Sequence, residues 1–238
     1  VLLYIKYYAL NESASGEGAP NYSDPLFLHL RIMTNELNTI NLIAKYISDI
    51  LSESLLGIQF GNNNNDHSLH GHYLLEFCGK CLIMVEFNSN NAATIVNSNL
   101  YALININTHT SKYYLAHDSD RSAQNSDELI GFNKYNMTMI LPDTNSLFVN
   151  YDPSPALKEG CQFVAMNFQN FDSNLEFYFK IFDEAEYSFV LKPCNLRTVP
   201  VHYITPVPAT KGAACNQSRT VGNTTITLDL ESQTFNTS

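Results

Sequence analysis

An unbroken apolar run, Cys81-Leu82-Ile83-Met84-Val85, decides the fold class of this chain. A strand with one face in water alternates apolar and polar side chains, whereas a run without alternation is typical of a strand that is covered on both faces. Other short apolar segments are predicted to be strands of the same kind, at residues 25–32, 100–106, 137–141 and 161–168. Such strands, separated by helical segments, indicate an α/β fold with a parallel sheet between layers of helices.

The clearest helical segment follows the first of these strands. It is expected to begin after a cap at Thr34 or Asn35 and to end near Leu56, where Gly57 follows. Residues 1–10 also place apolar groups at helical spacing. Helix follows strand often enough to favour a segment of a β/α barrel. The buried stripe of the clearest helix is predicted to consist of Leu37, Ile40, Ile43, Ala44, Ile47, Ile50 and Leu51.

The predicted organisation is a barrel segment over residues 1–200 and a β or irregular C-terminal extension over residues 201–238. Within the first part, residues 107–127 are polar and are expected to be an exposed linker. The extension is rich in Pro, Thr and Asn and holds one predicted strand, at residues 224–230. Because the sequence opens inside a periodic segment, at Val1, we expect that an upstream portion of the protein precedes it.

The composition is that of a globular domain with a weakly charged surface. Hydrophobic residues make up 45% of the 238 residues, charged residues only 15%, and the net charge is −10. No basic patch is present that could neutralise phosphates, which argues against binding to nucleic acid or to an anionic membrane. The sequence also has no apolar stretch of the roughly 18 to 20 residues that span a bilayer, and no signal peptide.

The cysteines are interpreted as structural residues. There are five, an odd number without framework spacing, which favours a reducing compartment. Cys78-Gly79-Lys80-Cys81 has the spacing of a redox motif or of half a zinc site, but it enters a strand instead of opening a helix. The further ligands that zinc needs would have to come from Cys194, Cys215, His70 or His72, none of which stands at a standard spacing.

Other polar and aromatic groups also receive structural interpretations. His29 lies on an apolar strand and is expected to be a buried histidine with satisfied hydrogen bonds. His70-Gly71-His72 is expected to be exposed and inert. The cluster Phe177-Tyr178-Phe179 is expected to pack in or beside the core, and Asp183-Glu184-Ala185-Glu186 to be a solvated loop.

A series of motifs between residues 132 and 197 resembles the Y region of phosphoinositide-specific phospholipase C. That region has an aromatic-Asn-Lys start, then Ser-Asn-Tyr-x-Pro, Gly-Cys-Gln-x-Val-Ala-Leu-Asn-Phe-Gln, and Gly-Tyr-x-Leu-Lys-Pro followed by Met-Arg. Residues 1–106 are similar to the X region, most clearly in 1–57 and 75–85, and 128–200 form the Y-like part. The resemblance implies a partial (β/α)8 TIM-type barrel with about strands four to eight. The matching segments here are Phe132-Asn133-Lys134-Tyr135-Asn136-Met137-Thr138-Met139-Ile140-Leu141-Pro142, Val149-Asn150-Tyr151-Asp152-Pro153, Gly160-Cys161-Gln162-Phe163-Val164-Ala165-Met166-Asn167-Phe168-Gln169, Tyr187-Ser188-Phe189-Val190-Leu191-Lys192-Pro193 and Leu196-Arg197.

The resemblance also implies a chemistry. Enzymes of this family use two histidines and a calcium ion, held by acidic groups and an Asn, to cleave a phosphodiester through the inositol hydroxyl. Lys, Ser, Arg and Tyr side chains bind the inositol phosphates. Both histidines and most of the calcium ligands belong to early strands that this sequence does not contain.

Where the family's site residues are expected, this chain has other residues. Arg31 stands in place of an acidic calcium ligand, and Met84 and Glu86 replace two lysines. Met139 and Leu141 replace an Arg and a Tyr. Each change removes a hydrogen-bond donor or reverses a charge where an anionic substrate would lie. We therefore predict no catalytic residues, no metal site and no cofactor in this chain.

The sequence thus predicts an inactive phospholipase C-like barrel that serves as a structural or interaction protein. Phospholipase C-like proteins of large DNA viruses carry the same style of strand as Ser23-Asp24-Pro25-Leu26-Phe27-Leu28. The expected context is therefore a virion, with the chain as a minor capsid protein, or the host cytoplasm, and the expected partners are other subunits such as capsid proteins. Two alternatives stay open: an active calcium-dependent phosphodiesterase whose N-terminal half is missing here, and a lipid or inositol-phosphate binding module. Membrane contact is not indicated.

Overall fold

The computed structural model describes residues 1–11, 21–61, 69, 72–108, 110–144, 148–185, 187–198, 217–221 and 224–228. The chain divides into two compact units, Val1–Thr198 and Val199–Ser238. No helix within the described ranges is long and apolar enough to cross a membrane.

The described residues of the first unit form two three-stranded parallel sheets. Consecutive strands that are parallel must be joined by crossover segments, and helical segments fill these connections. In the order of their hydrogen bonding, the first sheet consists of β1 (Leu26–Arg31), β2 (Cys81–Glu86) and β3 (Ile106–Asn107), and the second of β4 (Tyr113–His117), β5 (Met137–Leu141) and β6 (Phe163–Val164).

Most helices of this unit are short. The first, α1 (Leu2–Tyr4), continues as a π-helical turn over Ile5–Ala9, in agreement with the predicted helical spacing of residues 1–10. Short 3-10 segments occupy Ile58–Phe60, Leu74–Phe77, Tyr101–Leu103 and Cys194–Leu196. The remaining helices are α2 (Leu37–Leu51), α3 (Ala92–Val96), α4 (Asp118–Ser122), α5 (Ser126–Asn133), α6 (Ser154–Lys158) and α7 (Ser173–Ala185).

Helix α2 confirms most of the predicted apolar stripe. Leu37 is an exception, since it is exposed at the first turn. The helix also ends at Leu51, before the predicted Leu56, because Leu55 instead forms a β-bridge with Cys81 of β2. The stripe residues that are fully buried are Ile40, Ala44, Ile47 and Leu51, while Ile43 and Ile50 pack against them half-buried.

Strand β2 separates two layers of the core. Cys81, Ile83 and Val85 point to the side of α2 and join its cluster of buried side chains. Met84 points to the opposite side and joins a different cluster, to which the second sheet also contributes. Burial of a side chain of this size stabilises the fold by about 1.5–3 kcal/mol. The second cluster, which we call the inner cluster, consists of Met84, Ile106, Tyr113 and Met139, with Phe27, Leu69, Leu115, Met137, Leu141 and Phe163 packed against it.

The outer face of the second sheet has its own apolar layer. Ile140 of β5 and Val164 of β6 lie there beneath Leu129 of α5 and Leu175 of α7. Because neighbouring residues of a strand point to opposite faces, Met139 and Phe163 lie on the inner side. Both sheets therefore share one inner cluster, and each has helices on its other face.

Several predicted elements differ from the structure. Residues 107–127 were expected to be an exposed linker, yet they contain β4 and α4, and Tyr113 and Ala116 are buried. The apolar part of this segment is only a few residues long and has polar flanks, so it resembles a loop in sequence. Of the predicted strand 100–106, only Ile106 is in a strand, and of 161–168 only Phe163–Val164.

The described part of the second unit is an antiparallel pair of strands, β7 (Gln217–Val221) and β8 (Thr224–Leu228). Strand β8 confirms the prediction of a strand beginning at Thr224. Strand β7 was not predicted, because its sequence, Gln-Ser-Arg-Thr-Val, is polar.

Candidate functional site

The positions where the family's site residues are expected lie towards the carboxyl ends of the strands. Arg31 is the last residue of β1, Glu86 of β2 and Leu141 of β5. Met84 and Met139 lie two residues before the ends of their strands and point into the inner cluster. In parallel α/β folds, this end of the sheet is where ligands bind. We call the group formed by Arg31, Met84, Glu86, Met139 and Leu141 the strand-end site.

Arg31 and Glu86 form an ion pair at the ends of neighbouring strands. The two residues are partners in the register of β1 and β2, and the Arg31 Nε lies 3.1 Å from the Glu86 Oε1. The Arg31 side chain is 59% exposed, whereas that of Glu86 is 17% exposed. The positive charge of Arg31 is therefore balanced by a carboxylate that is largely withdrawn from water.

His29 lies beside this pair without a hydrogen bond from its Nε2. The Nε2 is 3.8 Å from the Glu86 Oε2, too far for a hydrogen bond, and both atoms are buried without a hydrogen-bond partner among the described residues. The expectation that His29 is a satisfied histidine is therefore wrong. Burial lowers the pKa of His29; Glu86 opposes this shift and Arg31 adds to it. The imidazole is thus kept in its neutral form.

Below the ion pair, the strand-end site is apolar. Met84 is fully buried, Met139 is almost so, and Leu141 is half-buried. Tyr113 adds a buried hydroxyl that has no hydrogen-bond partner among the described residues. Burial, and to a lesser degree the charge of Glu86, raises the pKa of Tyr113 far above its ordinary value, so the phenol stays protonated. These side chains offer no cation to a phosphate group.

The residues at the strand-end site do not fit a calcium ion. Calcium in proteins takes six to eight oxygen ligands, several of them from carboxylates. Glu86 is the one acidic residue of this group, and its carboxylate is engaged by Arg31. Across the described ranges, no group of three or more His, Cys, Asp or Glu side chains could hold a metal. The described residues of the strand-end site therefore lack the oxygen ligands that a calcium ion would need.

The four cysteines among the described residues have no disulfide and belong to no group of metal ligands. Cys81 is fully buried, and burial raises the pKa of its thiol to about 12. A thiol with such a pKa is not a nucleophile near neutral pH. Cys78 is exposed and free. Of the other candidate ligands, His72 is paired with Glu76 at 2.9 Å and Cys194 is free, while His70 and Cys215 lie outside the described residues.

Motif residues that agree with the family build a hydrogen-bond framework. The Asn133 Nδ2 donates to the Glu159 carbonyl at 2.9 Å, and its Oδ1 accepts from Thr138. Gln162 donates to the Asn133 carbonyl at 2.9 Å and accepts from the Thr138 N–H at 2.8 Å. Lys192 also donates to the Asn133 carbonyl, at 2.9 Å. Three of the motifs therefore meet at the start of β5.

A second framework joins the loops that leave the carboxyl ends of β5 and β6. The Asn150 Nδ2 donates to the carbonyls of Asn170, at 2.9 Å, and Asn167, at 3.3 Å. The Asn150 Oδ1 accepts from the Asn167 N–H. The matching motifs are thus used to fix loops and strand ends.

A buried arginine centre was missed by the sequence analysis. Arg121 of α4 is almost fully buried, and its guanidinium donates to Asp118 and to Glu159, each at 2.8 Å. Burial lowers the pKa of Arg121, but the bonds to Glu159 and Asp118 outweigh this and raise it. The centre lies in the segment that was read as a linker. The spacing of Asp118 and Arg121, three residues apart on a helix, could have indicated it.

The chain is similar to known proteins in sequence over part of its length and in fold. Residues 80–195 match the family model described as phosphatidylinositol-specific phospholipase C, Y domain. The crystal structure of L. pealei PLC21 is 20% identical with a TM-score of 0.59, over 81% of this chain and 28% of that chain. The crystal structure of S. officinalis PLC21 is also 20% identical, with a TM-score of 0.61, over 85% of this chain and 30% of that chain. No protein of curated function matches the chain by sequence.

These comparisons show that residues 80–195 are similar to the Y domain of phosphatidylinositol-specific phospholipase C and that the fold is shared with two phospholipase C structures. At 20% identity, the two structures show that the fold is shared and nothing more. The chain spans less than a third of the length of either structure. The matched range of the family model includes β2 and the second sheet, and therefore four of the five positions of the strand-end site.

Proposed function

From a chain that carries a phospholipase C-like Y domain over residues 80–195, we propose a catalytically inactive barrel segment that acts as a structural or interaction module. The observation that carries this proposal is the ion pair between Arg31 and Glu86, at 3.1 Å, above an apolar layer of methionines. An enzyme that cleaves phosphoinositides needs cations for the phosphates and carboxylates for calcium at this place. In this chain, the cation of Arg31 and the carboxylate of Glu86 neutralise each other, so neither is free for a phosphate or a calcium ion.

We propose that the two sheets, which have six strands among the described residues, belong to one (β/α)8 barrel. The resemblance implies about strands four to eight, which is five strands, so the proposed segment has one strand more. Three features support the proposal of one barrel. All connections within each sheet join parallel strands, the two sheets share the inner cluster, and helices lie on the outer faces. A barrel of this class also encloses side chains that alternate strands contribute in layers.

The electrostatics of the strand-end site disfavour an inositol phosphate. Relative to the family pattern, an acidic residue has become Arg31 and a lysine has become Glu86, so that the two charges have changed places. A phosphate about 4 Å from Glu86 would be repelled by about 4 kcal/mol at an effective dielectric constant near 20. If Arg31 turned to a phosphate, it would leave the largely buried Glu86 unpaired, which is also unfavourable.

The framework residues support the retention of the fold. Asn133, Asn150, Gln162 and Lys192 belong to the family motifs, and each makes hydrogen bonds that fix a strand end or a loop. The chain thus agrees with the family at positions that fix the fold and differs from it at the strand-end site. This pattern is expected of a domain that has kept the fold of the family and lost its catalytic activity.

For the biological context, we propose a virion, in which the chain is a minor capsid component with other capsid proteins as partners. The motif Ser23-Asp24-Pro25-Leu26-Phe27-Leu28, which resembles a strand of the phospholipase C-like proteins of large DNA viruses, is what supports this context. Mass spectrometry of purified particles should then detect the chain at constant stoichiometry through successive density gradients. Recovery of the protein only from the free cytosolic fraction would contradict this proposal.

The test of inactivity is an assay of the full gene product with phosphatidylinositol 4,5-bisphosphate and calcium. We expect no hydrolysis above the blank, while an active phospholipase C in the same assay gives turnover. Calcium-dependent turnover that disappears in Arg31→Ala or Glu86→Ala would overturn the proposal, because it would place these residues in a working site.

One observation favours a second candidate, an active calcium-dependent phosphodiesterase with part of its site elsewhere. The chain spans only 28% and 30% of the two matching structures, so the groups expected on early strands would lie in another segment. The same assay separates the two candidates, provided that it uses the full gene product.

A further inference from the structure

Three phenylalanine side chains form an exposed cluster, which we call the aromatic patch. Phe168 is 58% exposed, Phe171 72% and Phe179 37%. The rings of Phe168 and Phe179 meet edge to face with centroids 5.6 Å apart, and those of Phe171 and Phe179 stack at 6.1 Å. Single exposed apolar side chains are ordinary on protein surfaces. A contiguous group of exposed aromatic rings is instead typical of a surface that binds a protein, a membrane or a ligand.

The backbone beneath the patch is held by hydrogen bonds. The N–H of Asn167, next to Phe168, donates to the Asn150 side chain. Asn170, next to Phe171, donates to the Phe148 carbonyl at 3.2 Å and to Asp172 at 3.1 Å. Phe179 lies on the regular helix α7. Because the backbone that carries the rings is already fixed, the patch would lose little conformational entropy when a partner packs on it.

Acidic side chains flank the patch. Glu176 lies one turn before Phe179 on α7 and Asp183 one turn after it, so these residues share one face of the helix. Both are exposed, and neither forms an ion pair with a described residue. The nearby Lys180 pairs instead with Glu184, at 3.7 Å. The surface is therefore an apolar centre between unpaired negative charges.

We infer that the aromatic patch docks a segment of a partner protein in which apolar side chains lie between lysine or arginine side chains. The acidic flanks favour such a segment through electrostatic complementarity. They disfavour a second copy of this chain, whose own patch has the same charges and whose net charge is −10, and they disfavour an anionic bilayer. This inference rests on the proposed function, since an interaction module needs a surface for its partner.

The probe is a fluorescently labelled amphipathic helical peptide with leucines on one face and lysines beside them. A second peptide carries glutamates in place of the lysines. Binding to the full chain is measured by fluorescence anisotropy. We expect saturable binding of the lysine peptide that weakens at least about tenfold in Phe171→Ala, weakens in the double variant Glu176→Gln/Asp183→Gln, and falls as salt screens the charges.

The same helix offers a matched control. Phe177 is exposed on the opposite side of α7 and has no ring contact with the patch, so Phe177→Ala should leave binding unchanged. As a control on another helix, Glu36→Gln removes an exposed acidic group at the start of α2 and should likewise leave binding unchanged. Circular dichroism melting of every variant verifies that loss of binding is not loss of folding.

Several outcomes would overturn the inference. These are no saturable binding of the lysine peptide, equal binding of the glutamate peptide, or an equal loss in Phe177→Ala. Phe171-dependent binding to phosphatidylcholine vesicles, with or without phosphatidylserine, would assign the patch to a lipid surface. Phe171-dependent self-association in sedimentation would assign it to a second copy. None of these readouts measures hydrolysis, so this inference can fail while the proposed lack of activity stands, and the reverse also holds.

Discussion

Arg31 and Glu86 lie at the same level of two neighbouring parallel strands, and the guanidinium of the first is 3.1 Å from the carboxylate of the second. The pair is asymmetric, because Arg31 is mostly in water and Glu86 is mostly buried. A substitution of Arg31 therefore removes the partner of a buried charge, whereas a substitution of Glu86 releases a cation that water can solvate. The two residues should not contribute equally to stability.

A double-mutant cycle on Arg31 and Glu86 measures this relationship. We expect the two alanine substitutions to be coupled by about 0.5–1 kcal/mol, because one partner is exposed and the pair is only partly screened. The measurement is urea unfolding of the wild-type chain, Arg31→Ala, Glu86→Ala and the double variant. If the effects of the single substitutions on the free energy of unfolding are additive, the coupling free energy between the two side chains is zero.

The burial of His29 predicts a stability that depends on pH. Its pKa is lowered in the folded state, so as the pH falls below about 6.5, the ordinary value of an unfolded histidine, the unfolded chain takes up a proton first. Stability is therefore retained above this pH and lost as the pH falls towards the folded pKa. The free energy of unfolding of the wild-type chain should therefore depend on pH in this window. We expect His29→Gln to reduce the slope of that dependence by up to about 1.4 kcal/mol per pH unit.

The control for His29 is His72, which lies on the surface beside Glu76. Urea unfolding between about pH 7 and about pH 5, a window that starts just above the ordinary histidine pKa of about 6.5 and extends below it, is compared for the wild-type chain, His29→Gln and His72→Gln. A wild-type slope that persists in His29→Gln would assign the pH dependence to other groups.

The arginine centre around Arg121 should contribute strongly to stability. Arg121→Ala leaves Asp118 and Glu159 without their shared cation in a largely buried place, where Glu159 is only 12% exposed. Removal of one partner from a buried ionic group costs about 3–5 kcal/mol. Lys180→Ala breaks an exposed pair and should cost less than about 1 kcal/mol. Similar losses for the two variants in guanidinium unfolding would contradict the role of Arg121 as a buried link.

Much of the fold could be predicted from local sequence. Strands β1, β2 and β5 are apolar runs bounded by turn residues, and α2 has a full stripe at helical spacing, so each element is specified by its own residues. Strand β4 could not be recognised in this way, because its few apolar residues are buried only through contacts with β5 and with the inner cluster. Its burial is a property of the tertiary structure.

The strand-end positions of the candidate site residues could be predicted, but their contacts could not. Position along each strand is sufficient to place Arg31, Glu86 and Leu141 at strand ends. The ion pair, however, depends on the register between β1 and β2, which are separated by a long connection. The unsatisfied Nε2 of His29 depends on the same register. The exposure of Phe179, in a cluster expected to pack, depends on how α7 is rotated on the sheet.

If the carboxylate of Glu86 prevents the strand-end site from binding anions, a replacement of Glu86 by a cationic residue should allow anions to bind there. In Glu86→Gln the guanidinium of Arg31 loses its carboxylate partner, and in Glu86→Lys a second cation joins it at the end of β2. We expect inositol trisphosphate to bind Glu86→Lys at least about tenfold more tightly than the wild-type chain, since charge-assisted bonds to phosphate are the strong ones. Isothermal titration calorimetry measures the affinity, and Glu184→Lys, which makes the same charge change on the exposed side of α7, is the control. Equal affinities of the wild-type chain, Glu86→Lys and Glu184→Lys for inositol trisphosphate would contradict this prediction. They would show that the charges of Arg31 and Glu86 do not determine whether phosphates bind at the strand ends.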